Sequence, residues 1–143
     1  MYTGLLHTHT FLRYLVLIGL LVVIIKAIIG LSSKQPYTNL DNKLSLFLFI
    51  FTHTQLLVGL ILYFVSPFVK FGSDTMSDKT TRYWTVEHIV GMLAAVVLIT
   101  LARSTTKRMT DDASKHKRMF IFNFVALIVI VAIILISDRK LIG

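Results

Sequence analysis

The sequence contains no cysteine, two prolines, seven glycines and one tryptophan in 143 residues, and only 15% of it is charged. The missing cysteine removes disulfides, thiolate metal sites, iron–sulfur clusters, c-type haem attachment and cysteine nucleophiles together. Any metal or cofactor has to be held by His, Met, Lys, Tyr or carboxylate side chains. The low charge stands against 55% hydrophobic residues and a mean hydropathy of +0.77, which excludes a water-soluble enzyme. Disorder and collagen-like repeats are excluded too, because so much apolar surface cannot stay in water. The composition is that of an integral membrane protein. Glu87 is the only carboxylate inside an apolar stretch, so paired-carboxylate chemistry has no second member, and no nucleophile or phosphate-loop pattern supports a hydrolase or transferase.

Four apolar stretches, about 5–31, 44–67, 84–102 and 119–137, each come close to the ~20 residues that a helix needs to cross the hydrocarbon core. They predict a single all-α membrane domain, an up-down-up-down four-helix bundle in which short connections make neighbours antiparallel. The first stretch has no basic segment before it and no small-residue cleavage site after it, so it is read as a span and not as a cleaved leader. Pro36 with the Asn/Asp cluster around Asn39 breaks one helix and caps the next. Ser66-Pro67 ends the second span, and Tyr83-Trp84 forms an interfacial aromatic anchor.

The net charge is +8, and its distribution sets the expected orientation. Lys34, Lys43, Arg103, Lys107, Arg108, Lys115, Lys117 and Arg118 fall in the connections after the first and third stretches, eight against the five of Lys70, Lys79, Arg82, Arg139 and Lys140. The positive-inside rule then places those two connections in the cytoplasm and both termini in the periplasm of a bacterial cytoplasmic (inner) membrane. The run from Arg103 to Arg118 reads as a solvated juxtamembrane loop facing lipid head groups, with His116 in water. Nucleic acid is not expected as a partner, since no fold motif or aromatic platform accompanies the charge.

The polar groups inside the stretches carry the functional reading. They are His7, His9, Arg13, Lys26, Thr52, His53, Thr54, Gln55, Glu87 and His88, while the fourth stretch has neither charge nor histidine between Phe120 and Ser137. Ionisable side chains at bilayer depth face the bundle interior, a partner or a cavity. His7 and His9 lie about 200° apart on a helix, so one faces inward; His9 is chosen because Arg13 is its i+4 neighbour. Counting ~1.5 Å per residue puts His9 and His88 at one depth and His53 nearer mid-membrane. Lys26 is expected to snorkel to the head groups and to have no functional role. The bland reading of each polar residue is a hydrogen bond between helices worth ~0.6 kcal/mol.

Imidazoles beside an arginine in a bundle point to haem b: haem iron takes neutral imidazole axially, and a guanidinium suits a propionate. The candidate ligands are His9, His53 and His88, with His9 and His88 the simplest pair, and Arg13 the propionate partner. His7-Thr-His9 with Glu87-His88, and His53 as a further candidate ligand, offer a metal-site alternative for Zn²⁺ or Cu²⁺. Gly19, Gly59 and Gly91 would let a flat macrocycle or another helix approach closely.

The segments 5–16, 51–67, 86–92 and 115–118, which carry His7-Thr-His9 and Arg13, His53-Thr-Gln55, Glu87-His88 and Lys115-His-Lys-Arg118, together resemble a family of small bacterial four-span membrane proteins labelled cytochrome b-like. The resemblance runs over nearly the whole chain. It implies haem bound through the intramembrane histidines and electron transfer with a respiratory-chain or other redox membrane protein, as a carrier and not a catalyst, with a homo-oligomer as one arrangement. The alternative is a cofactor-free or metal-binding membrane assembly protein whose buried polar residues join helices. A more distant similarity is to the halves of haem A synthase. Here Ile89 follows Glu87-His88 and the fourth stretch lacks a histidine, and a two-haem arrangement would need four inward histidines.

Overall fold

The computed structural model describes residues 2–65 and 86–136. The expectations for Pro67, the Tyr83-Trp84 anchor and the five cations of the opposite face fall outside the described residues. Four helices follow one another: α1 (Tyr2–Ser32), α2 (Asn39–Val65), α3 (His88–Thr106) and α4 (Asp112–Ile136). All four are long and apolar enough to cross a membrane. Each satisfies its backbone polar groups within itself, as the hydrocarbon interior requires.

The helices pack in a ring: α1 against α2 and α4, and α3 against α2 and α4. α1 and α3 are therefore diagonal partners across the bundle axis. The core is a single cluster in which Val16, Leu20, Val23 and Ala27 of α1 meet Ala95, Ile99 and Ala102 of α3 and Met119, Ala126, Ile130 and Ile134 of α4. The steps of three and four residues place these on one face of each helix. Alanines fill the closest points because lipid tails are as apolar as leucine, so association rests on tight packing. Glycine serves the same end, since a Cβ at Gly91 would overlap Ile133.

α2 is attached differently. Its buried stripe is Asp41, Ser45, Leu48, Thr52 and Leu62, more polar than apolar. Thr52 closes its own hydroxyl onto the Leu48 carbonyl at 2.6 Å, whereas the remaining polar groups reach other elements.

Two tight connections lie at one end of the bundle. α1 ends with Lys34 in the left-handed region (φ 52°), and Gln35 N–H donates back to the Gly30 carbonyl at 3.0 Å, the wrap that usually recruits glycine or asparagine. Asp41 then caps α2 by accepting from the Thr38 N–H (2.9 Å) and hydroxyl (3.1 Å). This is one half of a capping box, the side chain of the first turn reaching back to the residue before it. At α4, Asp111 accepts from the Ser114 N–H and hydroxyl, and those two bonds hold its carboxyl below the usual range.

The loop expected from Arg103 to Arg118 is thus mostly helix: α3 runs on to Thr106 and α4 begins at Asp112. The charges there are compatible with helix because they lie near the helix ends, where Lys117 stays exposed and Arg103 finds partners inside the protein.

Candidate functional site

His9 of α1 and His88 of α3 meet across the bundle axis, their ring centroids 6.3 Å apart and their planes inclined at 66°. Two features of α2 set the position of His9. Gln55 donates through Nε2 to the His9 carbonyl at 2.9 Å. One turn further, Gly59 leaves room for the imidazole: a Cβ there would lie 3.3 Å from His9 Cε1. The Gln55 Oε1 atom is buried without a hydrogen-bond partner. Arg13, half-buried one turn deeper on α1, lies with its guanidinium 5.2 Å from the Tyr14 ring centre. His7 is exposed on the outer side of α1, opposite His9.

His53 occupies a separate level. Its Nδ1–H donates to the Phe49 carbonyl at 2.9 Å, which leaves Nε2 directed at Thr100 Oγ1 of α3, 3.4 Å away. Thr100 lies twelve residues beyond His88, about 18 Å of helical rise. The structure therefore joins His9 with His88 and leaves His53 apart. Among the described residues no group of three or more His, Asp or Glu side chains could hold a metal ion.

A second polar cluster, not anticipated from sequence, occupies the end with the two tight connections. His116 is 2% exposed, against the expectation of a solvated loop residue. Its Nε2–H donates to the Gln35 carbonyl at 3.1 Å, its ring lies 5.4 Å from that of Tyr37, and a Cβ at Gly30 would overlap it. The physical reason is register: His116, Met119, Asn123 and Ala126 fall on one helix face, all buried, so the core stripe of α4 continues into the basic run.

Lys26 also departs from its expectation. Its ammonium pairs with Asp41 at 3.4 Å, where the carboxylate is 6% exposed. The cation stays within the protein because a buried carboxylate at the same depth is a better partner than the head groups. Arg103 turns inward too, donating from Nη1 to the Asn42 carbonyl (3.1 Å), Asn42 Oδ1 (3.2 Å) and Ser45 Oγ (3.3 Å). Tyr37 has its phenol pushed above the usual tyrosine value by burial and, secondarily, by the Asp41 carboxylate, while Arg103 and a hydrogen bond with Ser45 pull the other way. Lys26, Tyr37, Asp41 and His116 border a cavity of about 10 Å³, about the least that holds one water. Asn123, 0% exposed in the middle of α4, donates to the Met119 carbonyl at 2.8 Å.

No family model matches the chain, and searches of curated proteins and of solved structures also find no match. What the fold and its geometry define is a four-span membrane helical bundle with two buried polar clusters at different levels.

Proposed function

We propose that this protein is a haem b-binding electron carrier of the bacterial cytoplasmic membrane, in which His9 and His88 would hold the iron. The observation that carries the reading is their 6.3 Å ring separation across diagonal helices. A metal held by two imidazoles at ~2 Å per bond sets the ring centroids roughly 6 Å apart, and the observed separation supports an iron between the two rings. Gly59 provides the space for one ring, and the unpartnered Gln55 Oε1 offers an acceptor to a bound group. Arg13 is the residue to pair a propionate carboxylate. Bound haem would supply a one-electron couple; the chain's own part is to hold two neutral imidazoles, keep the site dry and place positive charge beside the acid groups. The redox partner in this reading is another membrane protein of a respiratory chain. The eight-to-five excess of cations supports both termini in the periplasm.

A second reading is favoured by the bond from Gln55 to the His9 carbonyl: the outer polar residues join helices and bind nothing. Optical spectra of the protein purified in detergent after expression with ample haem, oxidised and dithionite-reduced, separate the two. A low-spin b-type difference spectrum supports the carrier. The absence of a Soret band leaves the helix-joining reading.

A further inference from the structure

The sequence supplies nine cations to the end of the bundle that holds the two tight connections, and the structure divides them into two sets. Lys26 is paired with Asp41, Arg103 is bonded to Asn42 and Ser45, and Lys115 lies 5.4 Å over the Tyr37 ring. These three are committed to internal partners. Arg118, half-buried, rests over Phe122. Lys34, Lys43, Lys107, Arg108 and Lys117 are exposed. The acids on the same surface are Asp111, exposed, and Asp112, half-buried, so the exposed set is not neutralised.

Each helix that bears one of these cations continues it with apolar surface. On α4, Lys117 is followed at helical spacing by Ile121, Val125 and Ile128, all exposed. On α2, Lys43 is followed by Phe47, Ile50 and Leu57, also exposed. A cation at the head of an outward apolar stripe matches one kind of molecule, with a negative head and hydrocarbon tails. An acidic soluble protein or a nucleic acid would meet the charges but not the stripes. We propose that the outer faces of α2 and α4, headed by Lys43 and Lys117, with Lys107 and Arg108 exposed at the same end of the bundle, are binding surfaces for anionic phospholipids, which the protein retains in preference to neutral ones.

The test is native mass spectrometry of the full chain released from vesicles of phosphatidylcholine mixed with phosphatidylglycerol. The wild type is expected to retain phosphatidylglycerol over phosphatidylcholine. Single changes Lys43→Ser and Lys117→Ser should each lower that preference by roughly fivefold, from the attraction of one juxtamembrane cation to an anionic surface. The quadruple Ser variant of Lys43, Lys107, Arg108 and Lys117 should abolish it. Lys115→Ser, whose cation is already committed to Tyr37, should retain the wild-type preference. Inorganic phosphate and soluble glycerophosphoglycerol should not displace the retained lipid, because neither has tails for the stripes. Equal retention of both lipids by the wild type, an unchanged preference in both single variants, or displacement by inorganic phosphate would each overturn the proposal.

Discussion

His9 and His88 stand on helices that are not neighbours in the ring, yet their rings meet at 6.3 Å. The contact spans the bundle axis, at the level where α2 contributes Gln55 and Gly59 beside α1. If haem is held there, His9→Ala and His88→Ala each convert a low-spin spectrum to a five-coordinate, high-spin one, or remove it. His7→Ala leaves the spectrum unchanged, since His7 is on the outer side. His53→Ala leaves the ligand field unchanged as well, since His53 meets Thr100 at a different level. A lost low-spin spectrum in the His53 variant would rule out the His9–His88 pairing.

Lys26→Leu removes the cation from a carboxylate that stays buried. The cost is roughly 1–3 kcal/mol, that of a buried polar group losing a partner, and it appears as a lower thermal midpoint in detergent. Adding Asp41→Asn recovers part of the loss, because no charge is then stranded. A Lys26→Leu protein as stable as the wild type would show that the pair contributes nothing.

Gly30→Ala drives a methyl group into the His116 ring, at a cost of about 1–3 kcal/mol for overpacking. His116→Ala on its own loses the bond to the Gln35 carbonyl. Together the two changes should cost less than the sum of the single ones, so a double-mutant cycle on unfolding free energies returns a favourable coupling. Strict additivity would place the glycine and the ring out of contact.

The phenol of Tyr37 is raised above its ordinary value of 10.0, first by burial. A group raised on folding contributes stability that is fully present below its unfolded pKa and lost as pH rises through the folded one. The thermal midpoint should therefore fall with increasing pH above about 10, and Tyr37→Phe should flatten that fall.

Lys34 holds a left-handed conformation at φ 52°, which costs an L-residue with a Cβ roughly 1–2 kcal/mol. Lys34→Gly should raise the thermal midpoint without changing any site property. A lowered midpoint would mean that the lysine's charge near the end of α1 outweighs the strain.

The four spans were legible because each apolar run is long and the connections between the first and second, and the third and fourth, are short. The 100° step of the helix allows only one of His7 and His9 to face inward, Arg13 at i+4 selects His9, and counting rise puts His9 and His88 at a common level. His116 was misjudged because its neighbours Lys115 and Lys117 are charged, although the spacing His116, Met119, Asn123, Ala126 carries the buried face straight through them. In the sequence Asp41 belongs to the Asn/Asp cluster that caps α2. The physical signal for its second role was Lys26, an intramembrane cation whose cheapest partner is a carboxylate at its own depth. Arg103 and Tyr37 had no such signal, because their partners Asn42 and Ser45 lie on other elements and share no sequence spacing with them.

α2 is tied to the bundle by directional bonds as well as by the packing of Leu48, through Gln55 to the His9 carbonyl, Arg103 to Asn42 and Ser45, and Lys26 to Asp41. Apolar contacts tolerate sliding, because one leucine fits nearly where another did. Hydrogen bonds between fixed positions do not, and a slip of one residue along α2 would break all three connections at once, rotating Gly59 away from the His9 ring. The polar stripe therefore acts as a key that gives α2 a single seating during insertion, and the seating of that helix fixes the place of an imidazole on another.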